Sequence, residues 1–309
     1  MPDHSVTDLS IAVENIHLFE RLLRLPAGIV LDFLEKANEW EMCHDLAARL
    51  DATGQMIRTP LATTAALADR GDRLAAECAE YLFRSNATLF ALLAQLERGE
   101  DGPLRVVWRG REKLPQDGRP AVVFAPHFGF LYAVPLALAV LGQGSSALGN
   151  EVAQDVLCRI VPAIAPKLWQ LIDYILVSSP TSAMAGVEAL KSGRHLAIFP
   201  EINLGATGNV RAATMRFLGR EIWVPTAAAR FARIAGADIV AMLVAPEGPR
   251  EIAIEVHDPV AAPASRAEDV EVSLNLFAWL ERVVLDRPQL WLGWPMLDGA
   301  MSVASAQAR

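Results

Sequence analysis

One stretch, residues 121–132 with the sequence AVVFAPHFGFLY, limits the folds open to this 309-residue chain more than any other. The five apolar residues 121–125 predict a buried strand that ends at Pro126, because proline has no backbone N–H to donate to a sheet. His127 follows, and an apolar helix pattern then covers residues 131–141. In α/β sheets, ligands bind beyond the carboxyl ends of the strands. His127 is therefore either a catalytic base at a strand tip or a neutral histidine that fills a turn.

The spacing of apolar residues changes at the polar segment RGEDG, residues 98–102, which divides two predicted units. In residues 1–102 the apolar side chains recur at helical spacing, so this segment is predicted to be helical and to pack on the core. Residues 103–298 alternate strand-like runs with helical patterns, which predicts an α/β layered fold. Within them, the Gly/Ser-rich residues 142–149 are predicted to form a loop, and the alternating residues 250–257 a half-exposed strand. Residues 299–309 are the predicted C-terminal tail.

Charge and composition exclude several classes of protein. A formal net charge of −8 argues against a nucleic-acid binder. No run of roughly 18 apolar residues is present, so no membrane-spanning helix is expected. The first residues, MPDHSVTDLS, lack the basic and apolar regions of a signal peptide. The three cysteines are far apart and form neither a metal-ligand pair nor a disulfide framework. These features predict a cytoplasmic protein without a metal site.

A second set of polar residues follows another predicted strand, residues 196–199. Glu201 and Asn203 lie in the block FPEIN, and Arg211 and Arg216 come after it. A carboxylate that meets an imidazole at one sheet edge can orient the ring while its other nitrogen takes a proton from a hydroxyl or an amine. Each residue also has a plain structural explanation: Glu201 as a cap, Asn203 as a turn residue, and the arginines as a solvated face.

Four blocks, in this order, resemble the lysophospholipid-acyltransferase superfamily. They are VVWRGREKLPQDGRPAVVFAPHFGFLYAVPLAL, GVEALKSGRHLAIFPEINLG, MRFLGREIWVPTAAARFARIAGADIVAMLV and PQLWLGWP. The chain is most similar to the bacterial branch with the late acyltransferases of lipid A biosynthesis and the mannoside acyltransferases of actinobacteria. The resemblance covers residues 105–297. It implies an αβα layered acyltransferase-type fold with a mixed central sheet behind an N-terminal helical segment.

The superfamily transfers an acyl group from a carrier-protein or coenzyme A thioester to a hydroxyl or an amine. In its H-x4-D/E motif the histidine is the general base and the acid orients it, so the resemblance implies that His127 is the base. The position of the acid holds Tyr132 instead. One hypothesis is that Glu201 supplies the missing carboxylate or binds the acceptor, while Tyr132 hydrogen-bonds to His127 or to the thioester oxygen. The other is that the chain hydrolyses a thioester, or binds an acyl chain or carrier-protein thioester for another enzyme.

Together these arguments predict an acyltransferase of a specialised, secondary-metabolic pathway that needs no cofactor besides its acyl thioester co-substrate. Its partners would be acyl carrier protein or coenzyme A and a small-molecule or lipid acceptor, in the cytoplasm or at the inner face of the membrane. Trp291 and Trp294 are predicted to be core or pocket wall. The predicted site comprises His127, Tyr132 and Glu201 as catalytic residues and Asn203, Arg211, Arg216 and Phe128 as substrate-binding residues.

Overall fold

A computed structural model of the chain describes most of the predicted α/β unit and part of the helical segment before it. The N-terminal 20 residues, the predicted C-terminal tail and Arg211 lie outside the described residues. The residues described are 21, 24–44, 54, 57–58, 60–99, 101–115, 117–130, 132–203, 212–248, 250–294 and 296–297.

Strands and helices follow one another from residue 105 onward, as the sequence pattern predicts. Within the described residues, no helix is both long enough and apolar enough to cross a lipid bilayer. The helices whose bounds the structure describes are α1 (Ala27–His44), α2 (Gly71–Arg98), α3 (Ala133–Val140), α4 (Glu151–Ile164), α5 (Pro166–Trp169), α6 (Ser182–Lys191), α7 (Ala227–Ala235) and α8 (Arg266–Asp286). The strands are β1 (Arg105–Arg109), β2 (Val122–Phe124), β3 (Ser145–Gly149), β4 (Ile172–Leu176), β5 (His195–Ile198), β6 (Ala212–Phe217), β7 (Arg220–Pro225), β8 (Ile239–Gly248) and β9 (Glu251–Val256).

The central sheet is mixed. Among the described residues it has seven strands in the order β1-β9-β8-β2-β5-β3-β4. Strands β8, β2, β5, β3 and β4 are parallel to one another, whereas β9 pairs antiparallel with β8 and parallel with β1. The hairpin β6–β7 lies outside this sheet. The predicted α/β class with a mixed central sheet is confirmed.

The sheet is buried on both faces, which makes the fold an αβα sandwich. On β2, Val123 belongs to the apolar cluster formed with α3, α4 and α5, whereas Val122 and Phe124 belong to the cluster formed with α7, α8 and the β6–β7 hairpin. Successive side chains of a strand point to opposite faces, so a strand covered by helices on both sides must be apolar throughout. This explains the unbroken apolar run that precedes His127.

One predicted loop is a strand. Residues 142–149 were expected to be irregular because glycine and serine favour turns, but Ser145–Gly149 forms β3 between β5 and β4. Hydrogen bonds from both neighbours outweigh the weak strand preference of these residues. Glycine is required at position 149 because a Cβ atom there would lie 1.8 Å from the Tyr174 hydroxyl, which fills the space that a side chain would need. The alternating residues 250–257 contain β9, so the predicted strand is present, but it is not half-exposed: Ile252, Ala253 and Ile254 are all buried, because both faces of the sheet are covered.

Another histidine, His195, is also buried. It is the first residue of β5 and lies beside the beginning of β2. Its Nδ1 accepts a hydrogen bond of 3.1 Å from the backbone N–H of Ala121. Burial lowers the pKa of His195 to about 4, so the ring stays neutral in the folded protein at neutral pH. We therefore assign His195 a structural role, which is to join the beginnings of β5 and β2.

His195 makes folding pH-dependent in a defined window. Between pH 6.5 and about 4 the unfolded chain protonates this histidine and the folded chain does not, so stability falls as the pH falls. The loss is at most about 1.4 kcal/mol per pH unit, and the residue contributes no pH dependence above that window. His195→Gln retains an acceptor for the Ala121 N–H but does not titrate. Urea unfolding at several pH values should give the variant a shallower decline, and equal slopes would contradict the assignment.

Candidate active site

Neighbouring parallel strands bring His127 and Glu201 to one edge of the sheet. Phe124 at the end of β2 pairs with Ile198 at the end of β5. His127 is the third residue after Phe124, and Glu201 is the third residue after Ile198. The equal spacing places the two side chains side by side although they are 74 residues apart in the sequence.

His127 and Glu201 are joined by two hydrogen bonds. The ring Nδ1 of His127 lies 2.9 Å from Oε2 of Glu201, and the backbone N–H of His127 donates to Oε1 at 2.9 Å. The side chain of His127 is 6% exposed and that of Glu201 is 0% exposed. A carboxylate only accepts hydrogen bonds, so we assign the imidazole proton to Nδ1 and the free lone pair to Nε2. Among the described residues, none hydrogen-bonds to Nε2 of His127.

The turn that carries His127 is pressed against β8. Gly129 has φ of +66°, a conformation that residues with a side chain rarely adopt. A Cβ atom on Gly129 would lie 2.1 Å from the carbonyl oxygen of Val244. The next residue, Phe130, donates its backbone N–H to that same oxygen at 2.7 Å. Glycine is therefore required here both by the backbone angle and by the close approach of the two chains.

The C-terminal segment 288–297 closes the other side of this turn. The backbone N–H of Leu292 donates to the carbonyl of His127 at 2.7 Å, and that of Gly129 donates to the carbonyl of Leu290 at 2.8 Å. Between them, the indole N–H of Trp291 donates to Oε1 of Glu201 at 3.0 Å. The sequence predicts Trp291 to be core or pocket wall and indicates no polar role for it. Its indole N–H, which normally needs a partner when buried, was the overlooked signal.

Tyr132 lies near the pair but does not bond to it. Its ring contacts Phe199 at 6.4 Å between centroids, and Phe199 in turn contacts the ring of His127 at 5.6 Å. Among the described residues no hydrogen bond joins Tyr132 to His127, contrary to one of the two expected contacts. Burial raises the pKa of the Tyr132 phenol to about 12, which keeps it protonated at neutral pH. A contact with a thioester oxygen stays a prediction.

The predicted substrate-binding residues that the structure describes lie in different parts of the fold. Phe128 is buried, with the guanidinium of Arg287 5.1 Å from its ring centroid, so it packs inside the protein. Arg216 is exposed on β6, and its Nε donates to the carbonyl of Gly219 at the hairpin turn at 3.2 Å. Asn203 ends the short 3-10 turn Pro200–Asn203, which begins with the residue before Glu201. Substrate binding by these residues stays a prediction.

A small cavity of about 20 Å³ lies against the same turn. Phe199 and Pro200, the two residues before Glu201, form part of its wall, and Ser273 of α8 is the one hydroxyl-bearing residue lining it. The remaining lining residues are all apolar and come from β2, β5, β7, α7 and α8. They are Phe124, Ile198, Pro225, Ala227, Ala228, Leu276 and Phe277.

Comparison with known proteins adds a partial structural similarity. No protein-family model and no curated protein matches this chain. Among solved structures, the 1-acyl-sn-glycerophosphate (LPA) acyltransferase PlsC from Thermotoga maritima is similar, with 19% sequence identity and a TM-score of 0.40. The similarity covers 67% of this chain and 88% of the PlsC chain. Similarity at this level says nothing about the substrates of this chain.

The close approach at Gly129 can be tested with a matched glycine. Gly142 also has a positive φ, of +72°, but apart from its chain neighbours no atom of the described residues lies within 4 Å of where its Cβ atom would be. Gly142→Ala should lose roughly 1–2 kcal/mol of unfolding free energy, from backbone conformation alone. Gly129→Ala should lose clearly more, because the carbonyl of Val244 must move as well. Urea denaturation measures both, and equal losses would show that the turn is not tightly held against β8.

Proposed function

We propose that this protein is an acyltransferase that moves an acyl group from a carrier-protein or coenzyme A thioester to a hydroxyl or an amine. The observation that carries the proposal is the buried contact of 2.9 Å between Nδ1 of His127 and Oε2 of Glu201, at the carboxyl edge of a largely parallel sheet. A histidine oriented by a carboxylate, with its other nitrogen free, is the arrangement of a general base. The order of blocks that resembles the lysophospholipid-acyltransferase superfamily supports the choice of reaction.

In the proposed reaction Nε2 of His127 takes the proton from the acceptor hydroxyl or amine. The acceptor atom attacks the carbonyl carbon of the thioester and forms a tetrahedral intermediate. When this intermediate collapses, the carbon–sulfur bond breaks and the thiolate leaves with the proton that Nε2 had accepted. Glu201 stabilises the imidazolium that forms in between. The acyl group passes directly to the acceptor, and no enzyme-bound acyl intermediate is needed.

Glu201 takes the role that the motif assigns to an acid five residues after the histidine. Tyr132 occupies that position, and its phenol, whose pKa burial raises further, to about 12, carries no charge at neutral pH. Glu201 reaches the same ring nitrogen from the neighbouring strand β5. Because it also accepts the backbone N–H of His127, it constrains both the main chain and the ring of the proposed base.

A second candidate function is a protein that binds an acyl thioester or its carrier protein without turnover. It is favoured by Tyr132, which stands where the motif of the resembling superfamily has its acid. A thioesterase lies between the two candidates, since the same base can activate water.

The proposed activity is tested by incubating the purified protein with a panel of acyl thioesters and following thioester loss by mass spectrometry. We expect loss in the wild type and at least roughly 10³-fold slower loss in His127→Ala, as in enzymes that lose a general base. His257→Ala is the control, because His257 is a half-buried histidine that packs on Trp279 and lies outside the His127–Glu201 pair. Loss that depends on His127 supports an enzyme. Tight thioester binding that is unchanged in both variants, without turnover, would favour the binding protein.

Adding acceptors one at a time to the same assay separates transfer from hydrolysis. A transferase should form a new ester or amide with the acceptor and release little free fatty acid. A thioesterase should release free acid at a rate that no acceptor changes. Either product requires His127, so the His127→Ala variant serves as the blank in both cases.

The role of Glu201 is tested by Glu201→Gln, which keeps the shape of the side chain but removes its charge. We expect kcat to fall by roughly 10⁴-fold, as when a histidine loses its orienting carboxylate in a serine protease. The matched control is Asp269→Asn, because Asp269 is another buried carboxylate and is held by two nitrogen atoms of Arg233. The control should lose stability but keep kcat. Full activity in Glu201→Gln would refute Glu201 as the orienting acid.

A further inference from the structure

We propose that Trp291 is a positioning residue of this site, acting on the base through Glu201. The inference rests on the proposed function and deepens it. The indole N–H of Trp291 donates to Oε1 of Glu201 at 3.0 Å, in a position where Trp291 is 1% exposed. Trp291 does not contact His127 through a hydrogen bond, so its effect on the proposed base passes through the carboxylate.

The bond determines how the two carboxylate oxygens are used. Oε1 receives two donors, the indole N–H of Trp291 and the backbone N–H of His127, and Oε2 lies against Nδ1 of His127. The two hydrogen bonds to Oε1 oppose rotation of the carboxylate group about its bond to the side chain. Oε2 therefore stays beside Nδ1 of His127, and the imidazole proton is most stable on Nδ1. The lone pair that the reaction needs stays on Nε2.

Trp291 is itself held rigidly. Its ring packs edge-on against Phe217 of β6 and against Trp294, with centroids 5.7 and 4.8 Å away. Its main chain is paired with Phe128 in an antiparallel bridge beside the turn of His127. Just before this segment, Arg287 forms two hydrogen bonds to Glu255 of β9, which ties the end of α8 to the sheet. The indole N–H is therefore fixed relative to the sheet that carries both members of the pair.

Trp294 provides a matched control within the same segment. It is also fully buried, it touches the ring of Trp291, and its indole N–H also donates, but to the backbone carbonyl of Pro288 at 2.8 Å. Trp291→Phe and Trp294→Phe each remove one buried indole donor and similar apolar volume. They differ in the acceptor that is left behind, which is Glu201 in the first variant and a main-chain carbonyl in the second.

The first measurement is nitrogen-15 NMR of the protein with labelled histidine, in which the signals of His127 are identified by their loss in His127→Ala. In the wild type we expect Nδ1 to be protonated and Nε2 to be unprotonated. Trp291→Phe should shift both signals toward the average of the two tautomers, and Trp294→Phe should leave them unchanged. Unchanged His127 signals in Trp291→Phe, or equal shifts in both variants, would overturn the proposal.

The second measurement is the split between kcat and KM in the thioester assay. Removal of one hydrogen bond to a charged group should lower kcat in Trp291→Phe by roughly 10- to 100-fold, with KM for the thioester within about twofold of wild type. Trp294→Phe should keep kcat. If the wild type turns over no thioester, the proposed function fails, but the NMR comparison still decides whether Trp291 orients the pair.

A third measurement needs no substitution at Trp291. In the proton–nitrogen spectrum of the indole groups, Glu201→Gln should move the signal of Trp291 and leave that of Trp294 in place. This arm keeps the proposal testable if Trp291→Phe does not fold. An unmoved Trp291 signal would refute the bond on which the inference is built.

Discussion

A carboxylate with no exposure to solvent controls the architecture of this protein. Burying a charge is costly unless hydrogen-bond donors surround it. Glu201 has three donors: the main chain and the ring of His127, and the indole of Trp291. They come from the turn after β2 and from the segment after α8, while Glu201 itself follows β5. Satisfying one buried group therefore requires three distant parts of the chain to be in register, and the compact edge of the sheet follows from that requirement.

Much of this arrangement could be predicted from the sequence, because burial leaves a clear pattern. A strand covered on both faces must be apolar throughout, so β2 could be recognised with His127 at its tip. Glu201 could be paired with His127 once both were placed after strands. The strand β3 was not predicted, because its serines and glycine have no strand preference and its formation depends on neighbouring strands that are remote in the sequence. The indole bond of Trp291 was not predicted either, since residue type alone does not tell whether a tryptophan N–H meets a carboxylate or a backbone carbonyl, as the contrast with Trp294 shows.

The carboxylate beside His127 comes from a different part of the chain than the motif would place it. In the motif that the sequence resembles, the acid stands five residues after the histidine, and here Tyr132 holds that position. Glu201 instead follows the adjacent parallel strand β5. Because neighbouring parallel strands end at the same edge, a residue three positions beyond β5 reaches the ring of His127.

The pairing of the segment around Trp291 with the turn of His127 has a consequence for the order in which the site can form. Strands β2 and β5, with both members of the pair, are synthesised long before residue 291. A chain still attached to the ribosome can align these strands, but it leaves Oε1 of Glu201 without its indole donor and the carbonyl of His127 without the N–H of Leu292. These groups are paired only after α8 and the segment that follows it have been synthesised and packed. Completion of the site thus coincides with completion of the fold, and a nascent chain carries the pair without its final support.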